Sequence, residues 1–268
     1  MINIKVLKDC AEVSYKLPNS EKRQTKIIGI SDIPALFDTR ITFDSGPMPL
    51  FGQQNAYGVQ RIIQKDSSII VFIQCINPFV NVQHTNFTEL SEGVRSDLGI
   101  SHIKTKQKDI TMKGQDDCTI YKNIHLPNLL MAVQLQKDNS GSTYVNHSGL
   151  LCYQDSFVTD QTQLYRFPFS NVYKDSVYGK ICWGNQSCDA ESVAQSIGII
   201  HSFLGGIMNT HLFQSFKVKN HTFNCSSQIL AYLALRSDEL ETFPYADFNL
   251  REVIKYNDLV NYIGQNWK

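Results

Sequence analysis

Residues 167–184 read FPFSNVYKDSVYGKICWG. The run is unusual for an ordinary loop: Asn171 stands upstream of Gly179-Lys180-Ile181-Cys182, and a helical pattern follows. A cysteine just past a tight turn and near a helix start has a reason to react, because backbone N–H groups and the helix dipole favour the thiolate. An Asn carboxamide held nearby can donate to the oxyanion of a tetrahedral intermediate. Together these are the minimum for acyl transfer through a thioester. The plainer readings stand beside this one. A lone cysteine is usually a small buried hydrophobe, and Asn often does no more than hold a turn.

Downstream, Val193, Ile197, Ile200, Leu204 and Ile207 fall on one face of a helix. Ser187 or Asp189 would cap it, with Glu191 in its first turn, and Gly205-Gly206 would weaken its end. A second helix starts at Ser226 or Ser227, with Ile229, Leu230, Leu233 and Leu235 inward, and Pro244 stops the chain after it. Asn249 caps a short third helix, and 259–263 closes the domain. Upstream, 129–135 and 144–153 read as adjacent strands joined by the turn run KDNSGS at 137–142. Residues 2–6, 11–17 and 26–30 alternate as strands do, and 67–76 is continuously apolar. Residues 78–123 are the least regular, with a helix or hairpin expected inside them because so long a structureless loop is uncommon. Strands first and helices last indicate an α+β fold, an antiparallel sheet with helices packed on one side. The division expected is a strand-rich region over 1–123 and a second domain over 124–268.

Lys+Arg and Asp+Glu both number 25, so the basic excess of a nucleic-acid binder is missing. The longest apolar run, at 69–73, is far short of a membrane span, and the amino-terminal residues alternate without the apolar core of a secretory signal. Seven cysteines, an odd number with several in apolar strands, fit reduced thiols in a cytoplasmic protein better than a disulfide framework. Cys182, Cys188, His201 and His211 would make four metal ligands, but at no usual zinc spacing. His201, beside Ile199 and Ile200, reads first as a core histidine. No Walker A, G-x-S-x-G, G-x-G-x-x-G or H-E-x-x-H motif occurs.

The 167–184 run resembles the active-site turn of ubiquitin-conjugating enzymes, where His-Pro-Asn precedes a short loop and Gly-x-Ile-Cys-Leu. Here Phe169-Ser170-Asn171 stands at the first motif and Gly179-Lys180-Ile181-Cys182-Trp183 at the second. It is closer still to prokaryotic family D of that superfamily, the PRTRC system protein B branch. The matching residues are Thr162, Leu164, Tyr165, Pro168, Phe169, Asn171, Val172, Tyr173, Gly179, Ile181, Cys182 and Gly184. Weaker likeness extends over roughly 125–264. The chain departs from the pattern in two places. Asp175-Ser176-Val177-Tyr178 lengthens the loop before the cysteine, and extra residues separate Ser202-Phe203 from Asn209-Thr210-His211.

The resemblance implies a ubiquitin-conjugating-enzyme-like core with a strand-rich amino-terminal extension, in a bacterial or mobile-element system. An adenylating activating enzyme would pass the carboxyl terminus of a ubiquitin-like modifier to Cys182 as a thioester, for onward transfer to an amine. Asn171 would steady the oxyanion or the turn, and His211, or failing it His201, would deprotonate or orient the amine. The step needs no metal or nucleotide cofactor. Inactive members of such folds serve as binding platforms, so an adaptor is the alternative. A cysteine hydrolase would need a histidine within hydrogen-bond reach of Cys182.

Overall fold

The computed structural model describes residues 2–6, 10–16, 23–29, 56–65, 67–114, 117–184, 190 and 192–267. The chain opens with β1 (Ile2–Val6), β2 (Cys10–Lys16) and β3 (Arg23–Gly29), an antiparallel three-stranded sheet. Then come β4 (Ala56–Gln64), β5 (Ser68–Ile76), β6 (Phe79–His84), α1 (Glu92–Asp97), β7 (Thr111–Lys113) and β8 (Thr119–His125). The 78–123 stretch, where a helix or hairpin was expected, holds both: α1 and the β7–β8 hairpin, with β6 besides. The second half contains β9 (Asn128–Lys137), β10 (Thr143–Tyr153), β11 (Gln163–Arg166), α2 (Val193–Gly205), β12 (Ile207–Met208), β13 (Phe216–Val218) and β14 (His221–Phe223). It ends with α3 (Ser226–Leu235), β15 (Glu252–Lys255) and α4 (Tyr256–Asn266).

The molecule is a mixed α+β fold around a six-stranded antiparallel sheet of order β15-β11-β10-β9-β5-β4. The sequence boundary at 123/124 runs through this sheet, since β5 pairs with β9 from Ser68↔Gln136 to Cys75↔Leu129. A second sheet, of order β12-β6-β8-β7, closes with a short parallel pairing of Ile207 and Met208 to Gln83 and His84.

Both faces of the central strands are covered, which explains why 69–73 is apolar without alternation. Val71, Ile73, Leu129, Met131, Val133, Leu150 and Cys152 join a large core with α2 and α3. Ile70, Phe72, Leu130, Ala132, Leu151 and Tyr153 face the other way, onto Tyr256, Leu259, Val260 and Ile263 of α4. The helices therefore pack on both sides of the sheet, not on one. Ile263 is fully buried. Its truncation to Ala leaves a cavity between α4 and the sheet, with an expected loss of about 2–4 kcal/mol in a urea unfolding experiment.

Several expected boundaries move. Ser192 caps α2, its hydroxyl accepting from Gln195 N–H at 3.3 Å. Ser187, Asp189 and Glu191 lie outside the described residues. Ile207 belongs to β12, not to the helix face, because Gly206 ends α2 in extended conformation. α3 starts at Ser226 as expected but stops at Leu235, well before Pro244, and is buried nearly all round. Asn249 caps no helix; the chain there runs toward β15, and α4 begins at Tyr256. No helix among the described residues is long and apolar enough to cross a membrane.

Candidate active site

After β11 the chain buries Phe167, Phe169 and Ser170, then forms a small hairpin. Cys182 N–H donates to Asn171 O at 2.8 Å and Tyr173 N–H to Lys180 O at 2.8 Å. Val172 pairs with Ile181 between them. The arm carrying the cysteine also joins β10: Leu150 N–H donates to Gly179 O at 2.9 Å and Ile181 N–H to Ser148 O at 3.2 Å. Val172 and Ile181 point into the large core, 5% and 4% exposed. That burial pins the hairpin and leaves Tyr173, Lys180 and Cys182 on the accessible side.

Two glycines permit this contact. A Cβ on Gly179 would lie 2.1 Å from Leu150 O, and one on Gly149 would lie 2.3 Å from Tyr178 O. Gly179 also has φ +62°, which L side chains rarely adopt. The longer loop is tied down at Tyr178, whose ring meets Trp267 edge-on at 5.1 Å. Asn171 has φ +64°, a conformation Asn tolerates better than other residues with a Cβ.

Asn171, Cys182, Trp183, Phe203, Asn209 and His211 line a pocket of about 190 Å³. The three residues singled out in the sequence, Cys182, Asn171 and His211, therefore meet around one cavity. Cys182 is half-buried and His211 exposed. Asn171 Nδ2 donates to Ile207 O at 3.0 Å, tying the hairpin to the segment beyond α2. His211 is held through its backbone, whose N–H donates to Asn209 Oδ1 at 2.8 Å. Trp183 Nε1 donates to Ser148 Oγ at 2.8 Å, and its ring meets Phe203 edge-on. The Tyr173 phenol stands close enough to the Cys182 side chain for that neighbour to hold it above its ordinary pKa.

The helix-dipole expectation fails for this cysteine. α2 starts only at Val193, and the pocket wall is Phe203 and Ile207 at its carboxyl end. The polar neighbour of the cysteine comes instead from the hairpin: it is Tyr173, which sequence reading placed in the motif without assigning it a contact. Strand alternation around Cys182 was the available signal: residues paired two positions apart share a face. His201 lies against Tyr57 at 4.3 Å, and burial lowers its pKa, so it is a core histidine away from the pocket. Cys188 lies outside the described residues. Among the described residues no group of three or more His, Cys, Asp and Glu side chains could hold a metal.

A buried polar chain runs beneath the pocket. His84 is fully buried, its Nδ1 accepting from Asn86 N–H at 2.9 Å and its Nε2 lying 2.8 Å from Ser226 Oγ. It is therefore neutral and donates through Nε2–H. Ser226 Oγ in turn lies 3.4 Å from both Ser170 Oγ and Asn209 O, beside the residues that position Asn171 and His211. Burial pushes the His84 pKa from 6.5 down to about 4. Between those values the unfolded chain binds the proton and the folded chain does not. The stability from this group is complete above pH 6.5 and falls as the pH drops toward 4, by about 3 kcal/mol. His125, His147 and His201 shift in the same direction. Urea midpoints should fall between pH 7 and pH 4.5, and His84→Gln should make that fall shallower.

No protein-family model, curated protein or solved structure matches the chain.

Proposed function

We propose that the chain is a carrier enzyme of a ubiquitin-like conjugation system, bacterial or borne on a mobile element, built on a ubiquitin-conjugating-enzyme-like core. The reading rests on one observation: Cys182 and Asn171 of the hairpin and His211, from beyond α2, line a single pocket. An activating enzyme presents the modifier's carboxyl terminus as a thioester. The Cys182 sulfur attacks its carbonyl, a new C–S bond forms, and the donor thiolate leaves. An acceptor amine then attacks the Cys182 thioester. Asn171, whose backbone carbonyl and side chain brace the hairpin, steadies the intermediate, and His211 takes the amine's proton. Tyr173, whose phenol interacts with the Cys182 side chain, stands beside the sulfur as it leaves. Trp183 and Phe203 supply an apolar wall for the last residues of the modifier.

Three other cysteines, Cys75, Cys118 and Cys152, are buried and so are poor rivals as nucleophiles, and burial pushes the Cys75 thiol up to about 12 and Cys152 higher still. Buried thiols also suit a reducing compartment such as the cytosol. One observation favours the second reading, an inactive adaptor on the same fold: the Asn171 amide is engaged with Ile207 O. The cysteine-hydrolase reading lacks its base, since no histidine among the described residues is hydrogen-bonded to Cys182.

The test is co-expression with the genes that flank it, followed by a non-reducing gel. A carrier gives an adduct of modifier size that thiols remove. An adaptor gives none although the activating enzyme is itself charged.

A further inference from the structure

Tyr173, Lys180 and Cys182 share the accessible side of the hairpin, two residues apart along one arm and facing across it. Lys180 is exposed and its Nζ lies 5.9 Å from the Tyr173 ring centroid. The phenol of that same ring interacts with the Cys182 side chain, two residues from Lys180 on the same face. One aromatic side chain thus links an amine to the sulfur that would carry the acyl group. Lys174 offers the contrast. Its place in the hairpin matches the buried parity of Val172, and its Nζ is seated 5.0 Å from the Phe213 ring centroid.

We infer that Lys180 is an internal acceptor, taking the acyl group from Cys182 when no substrate amine arrives. The inference rests on the carrier reading above. The unprotonated Nζ attacks the thioester carbonyl and a C–N bond forms. The C–S bond breaks, sulfur departs as thiolate, and the proton shed by nitrogen goes to solvent. Thioester plus amine becomes amide plus thiol, with no oxidant, reductant or cofactor. The amide then sits beside the nucleophile and obstructs reloading, so an idle carrier switches itself off.

Burial, helped by the charge of Arg166, lowers the Lys174 pKa to about 8, which makes Lys174 the competing amine. Placement favours Lys180, and effective molarities for well-placed neighbours reach about 10⁵ M or more.

The test uses the full chain and the 2-mercaptoethanesulfonate thioester of diglycine at pH 8. Samples are quenched over time, split with and without dithiothreitol, and mapped by peptide mass spectrometry. A dithiothreitol-labile diglycyl group on Cys182 should form first and decay as a resistant one grows on Lys180. Lys180→Arg, which retains the cation beside Tyr173, should load equally and keep its thioester about ten times longer, in line with loss of a well-placed intramolecular amine. Cys182→Ala should show no amide at Lys180. An amide at Lys180 that persists in Cys182→Ala, or one found mainly on Lys174, overturns the inference. A stable thioester on Cys182 with no amide at Lys180 also overturns it and leaves the carrier reading intact. Absence of any Cys182 thioester, with the probe still active toward free cysteine, removes both.

Discussion

Cys182→Ala is expected to abolish the thiol-labile adduct completely while the protein stays folded, its melting temperature within about 3 °C of the unaltered chain. Both halves follow from where the sulfur sits. The side chain is half-buried at the edge of a pocket, so its loss enlarges an existing cavity and creates no sealed void. The structural duty of the residue belongs to its backbone N–H, bonded to Asn171 O at 2.8 Å, which alanine retains. The expected cost is below about 1 kcal/mol. The adduct, by contrast, has no other sulfur among the described residues to form on at this pocket. A thermal melt beside the non-reducing gel checks both statements, and a collapse of the fold would show that Cys182 is a core residue first.

Gly179→Ala is expected to do the reverse, damaging the fold and the activity together. The added Cβ would meet Leu150 O at 2.1 Å, and the backbone would keep a φ of +62° that alanine disfavours. Retreat is blocked, because Gly179 O accepts from Leu150 N–H at 2.9 Å and Ile181 is anchored in the core. The hairpin must peel from β10 to make room. A loss of about 3 kcal/mol or more is expected, lowering the melting temperature by roughly 10 °C. Adduct formation should fall with it even below the melting point, because Asn171 and Cys182 are held by the displaced hairpin. If Gly179→Ala melts normally, the contact between hairpin and β10 is not the support described here.

These two residues also mark how far the sequence could be read. The motif made Cys182, Asn171 and His211 candidates, and their meeting at one pocket needed only the correct order of elements. The strands at 129–135 and 144–153 were legible because their apolar runs are bounded by clear turn residues. The two-sided burial of the sheet was not legible, since α4 shows few apolar residues and contributes four buried ones in eleven. β4 was missed because its residues are nearly all half-buried, which blurs alternation. His84 belongs to no motif in the sequence. Yet Val80 and Val82 precede it at period two, and β6 does bury alternate residues, His84 included. The start of α2 at Val193, well past Cys182 in the chain, was not legible because apolar periodicity alone could not fix the cap. Tyr173 and Lys180 were visible as letters, but only the hairpin register makes them neighbours of the sulfur.

The most direct measurement of the central claim is made on Cys182→Ser, co-expressed with the same partners. Replacing sulfur by oxygen converts a thioester into an ester. The adduct should then survive dithiothreitol and be cleaved by mild alkali, with the modifier's carboxyl terminus mapped to position 182. An adduct that stays thiol-labile in Cys182→Ser, or one mapped to another residue, would contradict the assignment of Cys182 as the carrier atom's residue.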